Sequence, residues 1–217
     1  MEPREVAEFI MHGVAIYCYD KRYDEEVVKC FADHSPDELN KFVYSIYPYI
    51  PEEESKDLQN VLTNSNISWD EVKKEYEKLW NGEMVLRVGS LLSGDVATGY
   101  EGIMQNAEIS DACKARRLKA YAKVLKEFGD AIKRALKEQK PLPELELFDW
   151  FDKLGDTAFG LKNYDYYDMI GYDIGFYVGL NDDGKLKVLS ILLDEIDNIL
   201  WNIDHKLPEL EALTNES

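Results

Sequence analysis

The chain has 217 residues with 25 basic and 43 acidic side chains, a net charge of −18, and 45% hydrophobic and 12% aromatic residues. That much apolar material excludes a disordered chain despite the charge, and the length suffices for one domain with a substantial core or two small lobes. The charge opposes nonspecific contact with nucleic acid or an anionic membrane and favours a basic partner.

No apolar run reaches the length of a membrane span; the longest, Phe9 to Tyr19, is broken by His12 and Gly13. The opening Met1-Glu2-Pro3-Arg4-Glu5 is acidic where a secretory signal is basic. Cys18, Cys30 and Cys113 are odd in number and widely spaced, which points to reduced thiols in a cytoplasmic protein rather than disulfides or zinc. The charge is unevenly spread: residues 1–109 carry −12, residues 110–140 carry +6 and residues 141–217 carry −12.

Helix signals run along the whole chain. Ser35-Pro36-Asp37-Glu38 and Ser68-Trp69-Asp70-Glu71 each combine a cap residue with glutamate three positions later, so a helix is expected from each. The first should end near Tyr47 and the second near Trp80, before Asn81-Gly82, with a short helix over Glu52 to Leu62 between them. The clearest element covers Asp111 to Gln139. Leu118, Tyr121, Leu125, Phe128, Ile132 and Ala135 form its apolar stripe, while Arg116, Lys119, Lys123, Lys126, Lys133 and Lys137 fall on the opposite side. Lys140-Pro141-Leu142-Pro143 stops it and is the best boundary if the chain forms two lobes.

A further helix is expected over Glu144 to Phe159 and a last one over Lys185 to His205, with Leu186, Leu189, Leu193, Ile196, Leu200 and Ile203 as its core stripe, widened by Leu192 and Ile199. Residues 164–184 read mostly as helix, with a strand and turn as the alternative. The expected fold is therefore an all-α multi-helix bundle around the long 111–139 helix, a single helical domain over residues 1–217. Gly94-Asp95-Val96-Ala97-Thr98-Gly99 and Gly155-Asp156-Thr157-Ala158-Phe159-Gly160 share a G-D-x-A-x-G pattern, but their flanks differ and coincidence is the better reading.

Phosphate-loop, dinucleotide, zinc-protease, serine-hydrolase and calcium-loop signatures are absent, and the three histidines, His12, His34 and His205, are too few for a histidine-rich metal centre. Neither a metal nor a cofactor is implied. Asp149, Asp152 and Asp156, at i, i+3 and i+7, share a helix face, and Asp165 pairs with Asp168 in the same way. Such carboxylates could hold magnesium against a phosphate, but with 43 acidic residues in the chain such spacings arise easily and a solvated acidic face is the better reading.

The basic face of the 111–139 helix has three readings: plain solvent exposure, pairing with acidic flanks in the same fold or in a homo-oligomer, or an anionic ligand, the last disfavoured by the surrounding negative charge. Tyr164, Asp165, Tyr167, Asp168, Tyr172 and Asp173 form the most distinctive local surface, mixing rings with carboxylates as recognition of a basic protein requires, although several rings of this region should enter the core. Gly171, Gly175 and Gly179 recur every fourth residue and suit a tight helix crossing. Trp201, on the polar side of the last helix with Asp194 and Asn198, is either an interface anchor or a core residue.

The function expected from charge and missing motifs is an acidic helical interaction module. An inhibitor, immunity or antitoxin-like protein that occludes a basic, nucleic-acid-binding surface fits it, without direct nucleic-acid binding or membrane contact. The alternatives are a carboxylate-magnesium phosphohydrolase and a structural subunit whose basic helix docks within a larger assembly.

Overall fold

Ser68 begins the first long helix because its hydroxyl accepts the Glu71 backbone N–H at 3.4 Å, filling one of the bonds a helix start leaves open. The computed structural model describes residues 2–8, 68–160 and 164–215. The helices expected from Ser35 and over Glu52 to Leu62 lie outside the described residues, as do Cys18, Cys30, His12 and His34. Residues 3–8 are helical, and Arg4 makes a two-pronged contact with Glu83 at 2.8 and 2.9 Å.

Helix α1 spans Trp69–Lys78 and passes through one wide π turn, Leu79–Glu83, directly into α2, Met84–Gln105. The expected stop at Asn81-Gly82 is therefore not a stop. A π turn accommodates an extra residue, so Leu79 and Met84, five positions apart, are both buried and the apolar stripe continues in a new phase. Helix α2 is weakly marked in sequence because it contains Gly89, Gly94, Gly99 and Gly102, each costing about 1 kcal/mol against alanine in a helix. Two of these admit rings from other helices: a Cβ on Gly99 would lie 2.8 Å from Tyr121 Cζ, and one on Gly102 would lie 2.7 Å from Phe159 Cζ.

Helix α3, Asp111–Glu138, follows the expected limits. Ser110 caps its start, and Gln139 in the left-handed region (φ 55°) ends it, with Lys140 N donating to Ala135 O. Every residue of its predicted stripe is buried, and every basic residue of its predicted polar side is exposed. Helix α4, Glu144–Phe159, starts after Pro143 and stops at Gly160, whose φ of 78° suits glycine.

Residues 164–178 form α5, Tyr164–Val178, so the strand alternative does not occur. Burial of Tyr166, Ile170, Ile174 and Tyr177, at helical spacing, outweighs the β preference of the tyrosines. Only residues 179–181 leave the helix before α6, Asp182–Asn215, begins. Helix α6 runs ten residues past the expected His205 and through the exposed Pro208, because Leu210 and half-buried Leu207 continue its contact with the core. Its buried stripe is centred on Val188, Leu192, Ile196, Ile199 and Ile203, with Leu186, Leu193 and Leu200 at the margins.

The molecule is all-α: no strand occurs among the described residues. Helix α6 packs mainly on α3 and α2, α4 lies over both α3 and α2, and α5 packs on α4 and α2. Gly89 meets Ile191 and Val85 meets Gly184, so α2 and α6 run parallel; Gly129 lies against Leu193 and Ile196 while Lys119 reaches Glu211, so α3 and α6 are antiparallel. Phe128 anchors the centre, stacked on Trp150 at 5.5 Å and edge-on to Phe151 at 5.7 Å. None of the described helices is long and apolar enough to cross a membrane.

Candidate functional site

Two groups of carboxylates are distinguished by their surroundings, one at the surface of α4 and α5 and one inside the bundle. At the surface, the i, i+3, i+7 spacing of Asp149, Asp152 and Asp156 places them along one side of α4, with Asp149 exposed and the other two half-buried. Tyr167 crosses from α5, and its hydroxyl donates to Asp156 Oδ1 at 2.5 Å. Burial, then the charges of Asp156 and Asp149, raise the Asp152 carboxyl above its ordinary range, against a hydrogen bond from Tyr167 that lowers it. Burial, then Asp156 and Asp152, push the Tyr167 phenol well up, so it stays a donor. No lysine or arginine among the described residues pairs with Asp149, Asp152 or Asp156. Lys153, next to Asp152 in the chain, sits 4.3 Å over the Trp150 ring instead.

Of the six residues expected to bind a partner, Asp165 and Asp168 are exposed on α5 and Tyr167 is half-buried beside the α4 aspartates. Tyr164 and Tyr172 belong to α5 by their backbone, and their side chains lie outside the described set. Asp173 is not on this surface at all, being only 5% exposed. Tyr166, Phe176 and Tyr177 enter the core, and Gly175 is buried with them.

Asp173 meets Asp95, a residue the sequence reading did not select, where α5 crosses α2. Asp95 is 3% exposed and no donor among the described residues reaches its Oδ2, so two charged carboxylates here would repel without compensation and the neutral form of one is favoured. Burial, the Asp173 charge and the bond to Asp173 push Asp95 up to about 9; burial also raises Asp173, against the bond from Asp95 that lowers it. Two tyrosines close the site without neutralising it. Tyr121 from α3 donates to Val96 O at 2.7 Å and Tyr166 to Asp95 O at 3.2 Å, so both hydroxyls are engaged with backbone carbonyls. The signal that could have found Asp95 was its register: three residues after Leu92 and four before Gly99, it falls on the buried side of α2 rather than with exposed Arg87, Thr98 and Glu101.

Among the described residues, no three histidine, cysteine, aspartate or glutamate side chains converge in a way that could hold a metal ion. That includes Asp149, Asp152 and Asp156, of which Asp152 and Asp156 meet Tyr167 instead. Cys113 is a half-buried free thiol. Compared with known proteins, the chain matches no family model, no curated protein and no solved structure.

Proposed function

We propose that this chain is an acidic helical interaction module whose α4–α5 face covers a basic surface of a partner protein, as an inhibitor, immunity or antitoxin-like protein covers a nucleic-acid-binding surface. One observation carries the reading: Asp152 and Asp156 are held against Tyr167 with Asp149 along the same side of α4, and no lysine or arginine among the described residues pairs with any of the three. Like charges so placed repel, and a partner's arginine or lysine relieves that repulsion while the ring supplies contact area. Asp165 and Asp168 widen the face and steer the approach. The mechanism is occlusion, in which the partner's basic groups are taken up by carboxylates and lost to a polyanion.

The test is a tagged pull-down from the native cell at low and moderate salt, comparing the wild type with D149N/D152N/D156N and identifying bound proteins by mass spectrometry. A stoichiometric basic partner, released by salt and absent from the triple variant, is the expected result. A partner held equally by the triple variant, or none at either salt, removes the proposal.

A further inference from the structure

Positive charge is concentrated on the outer face of α3, and negative charge lies beside it on α6. Lys119, Lys126 and Lys133 recur every seventh residue along α3, and Glu211, Asp204 and Asp197 every seventh along α6. Seven residues are almost two helical turns, so each set is a nearly straight row. Because the helices are antiparallel and Lys119 is ion-paired with Glu211, the rows border one groove, basic on one side and acidic on the other. Lys126, Lys133, Asp197 and Asp204 are exposed and make no ion pair among the described residues. Lys123 and Arg134 extend the basic side outward, and Asp194 extends the acidic side. Amid those aspartates stands Trp201, 60% exposed, with its ring 3.8 Å from that of His205.

We propose that these adjoining faces form a self-complementary interface between two copies of this chain. A two-fold axis along the groove lays the α3 face of each copy over the α6 face of the other, antiparallel, so that both charge rows find their opposites at once. Trp201 packs on the aliphatic stems of the opposing lysines, with their ammonium groups beside its ring. A second copy fits these faces better than another partner because the complement is already present, similar in length and opposite in sign, on the neighbouring helix. Net repulsion between two chains of −18 does not decide the balance, since at physiological salt charges farther apart than about 8 Å are screened while pairs in contact are not. The inference is independent of the α4–α5 reading, as it uses different residues.

The test is sedimentation equilibrium of the full chain at physiological and high salt, for the wild type, K123E/K126E/K133E and D194K/D197K/D204K, with circular dichroism confirming that each variant is folded. The wild type is expected to dimerise and to dissociate as salt rises. Each charge-reversed set should weaken self-association at least about tenfold, and mixing the two sets should restore a dimer containing one of each. A wild type that stays monomeric overturns the proposal. So does a dimer indifferent to either set, or a mixture that fails to pair.

Discussion

Gly94 to Gly99 and Gly155 to Gly160 spell the same G-D-x-A-x-G pattern and put it to different uses. In the first, within α2, the last glycine lets the Tyr121 ring approach, the first faces open space, and Asp95 is buried against a second carboxyl. In the second, at the end of α4, the first glycine lets Tyr166 approach, the last ends the helix with positive φ, and Asp156 lies near the surface accepting from Tyr167. The glycine roles are exchanged, which supports coincidence over duplication. The comparison also shows that an aspartate's role is set by what the opposing helix brings: for Asp95 another acid and no solvent, for Asp156 a tyrosine hydroxyl and an open side.

The largest break in this contrast should come from Gly99→Ala. The new methyl would intrude on Tyr121, which is fully buried and bonded to Val96 O, so a loss of about 2–3 kcal/mol is expected in urea unfolding. A loss below about 0.5 kcal/mol would mean the ring is not confined as described.

Next is the pH dependence of stability. With Asp95 raised to about 9, the folded chain holds a proton that the unfolded chain releases in the ordinary carboxylate range. The proton difference favours folding at low pH, so the stability contributed by this pair falls as pH rises from about 4 towards about 9 and levels off above. Asp95→Asn keeps a donor to Asp173 but carries no titrating proton, and it should remove one proton's worth of slope in unfolding curves taken across this range. An unchanged slope would show that the pair holds no proton.

The smallest effect should come from Gly94→Ala, where a Cβ would meet nothing within 4 Å. Gaining a helix former without a clash should stabilise the protein by about 0.5–1 kcal/mol, visible as a higher Tm. Destabilisation would mean that the position is occupied.

Much of the architecture was legible because α3, α4 and α6 carry unbroken apolar periodicity, and Ser68 and Pro143 mark helix starts at the expected places. Helix α2 was not, because its glycines lower propensity and their compensation comes from Tyr121, Phe159 and Ile191, residues distant in sequence. The π turn at Leu79–Glu83 was missed for a related reason: Asn-Gly locally favours a turn, while burial of Leu79 and Met84 holds the chain helical. At the candidate site, the α4 aspartates and Tyr167 could be selected by spacing and composition. That Asp173 turns inward was missed although its register carries it: three residues after Ile170 and four before Tyr177, it falls on the buried stripe of α5, whereas Asp165 and Asp168 do not.

The most direct test of the central claim, that the α4–α5 face and not the buried pair meets the partner, is a binding isotherm of the captured basic protein against three forms of this chain. Wild type and D95N should bind alike, and D149N/D152N/D156N at least about tenfold more weakly. Equal binding by the triple variant, or loss confined to D95N, would contradict it.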